Sequence, residues 1–211
     1  MAAYTDQEEL EKLKEWGKNY GGALLIGVLL GLGLLFGNKY WTRYQEEQRA
    51  AASALYAQMA RQAQEARTAQ ARASGKKLMD DYARTPYAGM AALMLARVSV
   101  EANDPATART HLQWAVDHAT DAGAAHAARL RLGQLLLANR EYDAALALVQ
   151  GDAPGFAAEY AELKGDAYAG LGKSEEARAA YRAALDRLTE RTQARALIEM
   201  KLADIGGAPG K

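Results

Sequence analysis

The hydrophobic pattern changes twice along the chain. From Asn19 to Asn38, between Lys18 and Lys39, not one residue is charged. Twenty residues at helical rise span roughly 30 Å, the thickness of a bilayer's hydrocarbon core. The pattern therefore predicts a single transmembrane helix over 19–38. Trp16 and Tyr20 precede it, and Tyr40, Trp41 and Tyr44 follow, as rings that prefer the headgroup region would. A cleaved signal peptide is disfavoured, because Asn38-Lys39-Tyr40-Trp41 offers no small-residue cleavage site.

From Lys39 to Ala73 there is no glycine or proline, so the helix is expected to run on into water until Ser74-Gly75 ends it. Tyr44, Leu55, Met59, Ala63 and Ala66 supply one face to bury. Thr85-Pro86 marks the next break. Beyond it the chain repeats helix, polar turn, helix, with alanine in a fixed place at Ala108, Ala145 and Ala177. In the last unit Gly165, Tyr168, Ala177, Tyr181 and Ala184 fall at the spacing of the tetratricopeptide signature. There small residues let paired helices approach and aromatic ones fill the gap. Ile198, Leu202 and Ile205 then predict a helix that caps the last repeat. The fold class expected is all-α, one N-terminal transmembrane helix followed by a tetratricopeptide-like solenoid. The boundaries are a short N-terminal tail over 1–18, the span over 19–38, and an extended helix with a linking helix over 39–85. Repeats and cap then occupy 86–205, with a flexible tail over 206–211.

Two sets of residues are candidates for binding. In the span, Gly27-x-x-x-Gly31 and Gly33-x-x-x-Gly37 present two small-residue faces on which other helices can pack closely. In the repeats, the first helix of each unit lines the concave side. That side takes Met90, Leu93, Val100, Leu130 and Leu137 as an apolar floor, and Glu159, Glu162 and Asp166 as an acidic wall. A peptide with basic and apolar side chains would suit such a surface. The alternative is that the N-terminal helix covers the floor and makes it plain core.

Composition narrows the classes. Lys plus Arg and Asp plus Glu both number 26, with no basic cluster, which argues against nucleic acid. The absence of cysteine excludes disulfides, thiol catalysis and a lipobox. "GLGLLFG" has Phe36 where a dinucleotide fingerprint needs its third glycine. His111 and His118 lie two helical turns apart, too far to share a metal ion, and His126 falls on the next helix. Asp80-Asp81 and Glu175-Glu176 are adjacent pairs that diverge around a helix. No cofactor motif and no catalytic constellation emerge, so a non-enzyme is expected.

The order of parts resembles the YfgM family of ancillary Sec translocon subunits. It is carried by the lysine-bearing acidic tail, the glycine-rich span, the exit "GNKYWTRYQ" and the closing "LKGDAYAGLGKSEEARAAYRAAL". The resemblance implies a bacterial inner-membrane protein with a short cytoplasmic N-terminus and a periplasmic repeat domain. Its implied partners are the SecYEG translocon, a PpiD-like membrane-anchored chaperone and exported polypeptides passed to periplasmic chaperones. It implies no catalytic residues. Basic charge on the two flanks favours that topology only slightly. A cell-envelope scaffold without client binding, or a regulator that sequesters a signalling protein, stays open as an alternative.

Overall fold

The computed structural model describes residues 3–151, 153–188 and 193–206, without the side chains of 3–9, 13, 23–25, 28–30, 34 and 206. Among the described residues every element is a helix. They are α1 (Ala3–Gln64), α2 (Thr68–Asp81), α3 (Pro86–Glu101), α4 (Pro105–His118), α5 (Ala122–Ala138), α6 (Tyr142–Leu148), α7 (Ala157–Gly170), α8 (Ser174–Arg187) and α9 (Gln193–Gly206). They fall into two units, Met1–Gln48 and Arg49–Lys211.

In the first unit α1 is helical without interruption across Asn19–Asn38. Trp16, Tyr20, Tyr40, Trp41 and Tyr44 are all exposed, in neighbouring pairs Trp16–Tyr20 and Trp41–Tyr44 with ring centroids 6.0 and 6.1 Å apart. Among the described residues no helix is long and apolar enough to cross a membrane. The expected span falls in part outside them. The side chains of Ala23, Leu24, Leu25, Val28, Leu29, Leu30 and Leu34 are not among those described, and they hold most of its aliphatic surface. The expected tail over 206–211 likewise lies outside the described residues after Gly206, which ends α9.

In the second unit the helices pair as hairpins, each closed by the same backbone device. Ala66, Asn103, Arg140 and Gly172 take left-handed φ values of 55°, 57°, 64° and 73°. After each, the next amide bonds back to the carbonyl five residues earlier: Arg67 to Gln62, Asp104 to Ser99, Glu141 to Leu136 and Lys173 to Tyr168. This is the Schellman ending of a helix. The sequence pattern reveals three such hairpins; the backbone adds a fourth before them, made of the last turns of α1 and α2.

That first hairpin corrects the expected helix boundary. Ser74-Gly75 does not end a helix; both residues are buried in the middle of α2. Ser74 Oγ donates to Gln62 Oε1 at 2.8 Å. A Cβ on Gly75 would press against Met59 and both Leu95 methyls at 2.7–2.9 Å. The glycine serves close approach, and the chain breaks at Ala66, which is exposed and lies off the buried face of α1. Met59 and Ala52 are fully buried against Ala71, Leu78, Ala91 and Leu95, whereas Tyr44 is exposed.

The repeats follow the same rule. Ala108, Ala145 and Ala177 are each 0 % exposed. A Cβ on Gly133 would meet the Leu163 methyls, and one on Gly165 would enter the Tyr181 ring. Asp104 and Asp121 cap α4 and α5 by accepting from Thr107 N and Ala124 N at 3.0 and 2.8 Å. The first helices α3, α5 and α7 touch in succession, while among the described residues the second helices α4, α6 and α8 have no comparable contact. The first helices therefore form the tighter, inner layer. α9 closes the end, with Ile198 buried and Leu202 and Ile205 packed on Ala177, Tyr181 and Ala184.

Gly165→Ala forces a methyl into the Tyr181 ring and is expected to cost about 1–3 kcal/mol. Gly151→Ala, which meets nothing within 4 Å, should change stability little. Thermal melts of the two variants check this; equal melting temperatures would contradict the close α7–α8 contact.

Candidate interaction surface

The four glycines proposed to receive helices have one property in common. A Cβ added at Gly27, Gly31, Gly33 or Gly37 would meet no described atom within 4 Å. Their backbone is not spent on packing within the described part of this chain.

The repeat candidates sort into three groups. Met90 and Val100 stand exposed on α3, at 38 % and 56 %. Leu93, Leu130 and Leu137 are half-buried. Leu93 packs on Ala96, Leu112 and Leu132, Leu130 on Tyr160 and Leu163, and Leu137 bridges these two clusters. The first helices thus spend their leucines on holding one another together. Glu159 is exposed, but Glu162 and Asp166 are half-buried and already engaged.

Their partner is Lys201 of α9. Its ammonium donates to Glu162 Oε1 at 2.7 Å and to Asp166 Oδ2 at 2.8 Å. Tyr181 Oη donates to Asp166 Oδ1 at 2.7 Å. Burial works against the charged lysine, but the hydrogen bonds and charges of Asp166 and Glu162 outweigh it, and Lys201 ends above its ordinary pKa. Burial first, and then the Asp166 carboxylate, push the Tyr181 phenol well up. The described structure thus brings Glu162 and Asp166 together as the anchor of the capping helix, with Glu159 left facing water. Sequence reasoning missed Lys201. The signal was its place on α9: at 100° per residue it lies within 60° of Ile198 and 40° of Ile205, inside the apolar stripe.

The three histidines occupy separate sites. His111 is half-buried with Nδ1 unpartnered, and burial, aided by the nearby Arg72 charge, lowers its pKa. His118 stacks on Trp114, and His126 Nδ1 lies 2.8 Å from Tyr160 Oη. Among the described residues no three His, Asp or Glu side chains gather as a metal site. Asp80 pairs with Lys76 and Glu175 with Arg178, all as surface ion pairs.

Comparison with known proteins agrees with this architecture. The family model for a tetratricopeptide repeat-like domain matches residues 14–207. A Neisseria gonorrhoeae protein named ancillary SecYEG translocon subunit is 33 % identical over 207 residues, covering 96 % of this chain and 98 % of its own. Proteins of the same name from Escherichia coli and Haemophilus influenzae are 29 % and 31 % identical. They cover 85 % and 76 % of this chain, and 86 % and 79 % of theirs.

Lys201→Met keeps the aliphatic stem and removes the charge, leaving two half-buried carboxylates side by side. It is expected to cost about 1–3 kcal/mol. Because the folded-state pKa of Lys201 is raised, this stabilisation is fully present below the unfolded value of about 10.4. It is lost as pH rises through the higher folded value. Melting temperatures of wild type and variant should differ at pH 8 and converge only at strongly alkaline pH. A constant or absent difference would show that the lysine does not lock the cap.

Proposed function

The chain belongs to the YfgM family of ancillary SecYEG translocon subunits, and we propose that it is a membrane-anchored, non-enzymatic interaction subunit of the Sec machinery. The carrying observation is 33 % identity across nearly the full length of a relative with that name. The repeat layer adds a physical reason: helical repeats recognise polypeptides and bring no chemistry of their own.

In this reading residues 19–38 span the bacterial inner membrane with the N-terminus cytoplasmic and the repeats periplasmic. The uncharged run, the unbroken helix through it and the exposed rings at both ends support it, since such rings settle at membrane interfaces. The span docks on helices of SecYEG and of a PpiD-like membrane-anchored chaperone through Gly27, Gly31, Gly33 and Gly37. Lipid tails solvate leucine as well as another helix does, so association in a bilayer depends on close backbone packing at small residues. The repeats receive exported chains and pass them to periplasmic chaperones. Met90, Val100 and Glu159 are the exposed part of that face, with Leu93, Leu130, Leu137, Glu162 and Asp166 behind it as support.

Gly27→Leu with Gly31→Leu should weaken co-purification with the translocon or its chaperone partner in mild detergent. Membrane insertion should persist, because leucine favours the bilayer. Gly33→Leu with Gly37→Leu should disturb the other neighbour. Unchanged yields of both partners from both double variants, at matched expression, would reduce the span to a passive anchor.

A further inference from the structure

One repeat is incomplete. Its second helix, α6, has 7 residues, whereas α4 and α8 have 14 each. The stop is built in, because Gln150 Nε2 donates to the Leu146 carbonyl at 3.0 Å and Val149 is fully buried. After Leu148 no described residue is helical until Ala157. Beside this stop lies an open groove of about 290 Å³ between α7, α8 and the α6–α7 loop.

The lining has a definite chemistry. Its floor combines methyl groups, from Ala157 and Ala161 of α7 and Ala180 and Ala183 of α8, with the buried Tyr160. Its polar rim carries Lys164 and Arg187. Among the described residues neither cation meets a carboxylate; Arg187 donates to the Ala183 carbonyl at 2.6 Å. Other cations of this unit do find acids, as Arg97 does in Glu101, Arg109 in Glu141 and Arg178 in Glu175. On α7 the groove positions 157, 161 and 164 lie about 170° around the helix from Glu159, Glu162 and Asp166. The groove is therefore a surface distinct from the one assigned to exported chains.

We propose that this groove docks an acidic helical segment of a partner protein, laid where further turns of α6 would run. A floor of alanines beside Tyr160 admits a helix with small apolar residues on its buried side. Lys164 and Arg187, which meet no described carboxylate, select acidic flanks and repel basic ones. The volume sits at the lower edge of small-molecule pockets, roughly 300–1,000 Å³, which favours a helix face over an enclosed ligand.

The full-length chain in detergent micelles is titrated against two fluorescein-labelled 14-residue peptides. Both have an alanine–leucine face; one carries glutamates on its flanks and the other glutamines. Anisotropy should show at least tenfold tighter binding of the glutamate peptide, weakened by salt. Lys164→Glu with Arg187→Glu should invert the preference. Ala180→Trp, which fills the floor without changing charge, should weaken the glutamate peptide at least tenfold, and Glu159→Lys on the opposite side of α7 should leave it unchanged. If Ala180→Trp proves unstable by thermal melt, the charge inversion alone decides. Equal affinity for the two peptides, or binding indifferent to the charge inversion, would overturn the proposal. So would self-association of the chain abolished by that inversion, which would give the groove to a second copy.

Discussion

Paired helices in this protein come closer together than a side chain permits, and the rest of the repeat unit is built around that constraint. Gly75 lies under Met59 and Leu95, Gly133 under Leu163, and Gly165 under the ring of Tyr181. Alanines at 108, 145 and 177 occupy equivalent buried places in successive hairpins. Where backbones approach so closely, dispersion contacts are dense and a single added methyl has nowhere to go. The hairpins are in turn fixed by four left-handed residues that reverse the chain between their helices. Close pairing on one side and looser spacing on the other set the inner layer, and the inner layer decides which side chains a polypeptide could meet.

The same constraint explains what could be read from the sequence. The fixed alanines, the Gly165–Tyr181 pair and the stripe Ile198–Leu202–Ile205 announce hairpins and a cap, because only small residues satisfy the geometry. The first hairpin stayed hidden because its reversal falls on Ala66, which carries no turn signature. Ser74-Gly75 looks like a helix end but does the work of contact, and a glycine in isolation does not reveal which of the two it serves. The acids at 162 and 166 read as an acidic wall open to a basic peptide. Their partner lies 39 and 35 residues away, and pairing over that distance leaves no local trace. The shortness of α6, by contrast, does leave a local trace: Val149-Gln150-Gly151 follows Leu148 and Pro154-Gly155 stand just beyond, the composition of a loop, and Gln150 folds back on Leu146 at the stop.

Glycine thus has two uses in one chain. In the repeats it is consumed by packing inside the fold. At positions 27, 31, 33 and 37 no described atom of the chain approaches it, so the same physics is available to helices of other proteins. In the proposed reading, a tether with no described atom against these glycines, joined to a layer whose polar residues hold its cap in place, fits an accessory component that works by adjacency. In the proposed arrangement the exported chain emerges beside the inner layer, and the groove left by the short α6 is free for a separate partner.

The central claim is that the repeats sit on the outer side of the membrane that the span crosses. The chain has no cysteine, and Ser174 is exposed at the start of α8, so a single Ser174→Cys substitution reports its side cleanly. A membrane-impermeant maleimide applied to intact spheroplasts should label it to the same extent as after lysis. Labelling that appears only after lysis would put the repeats in the cytoplasm and contradict the account.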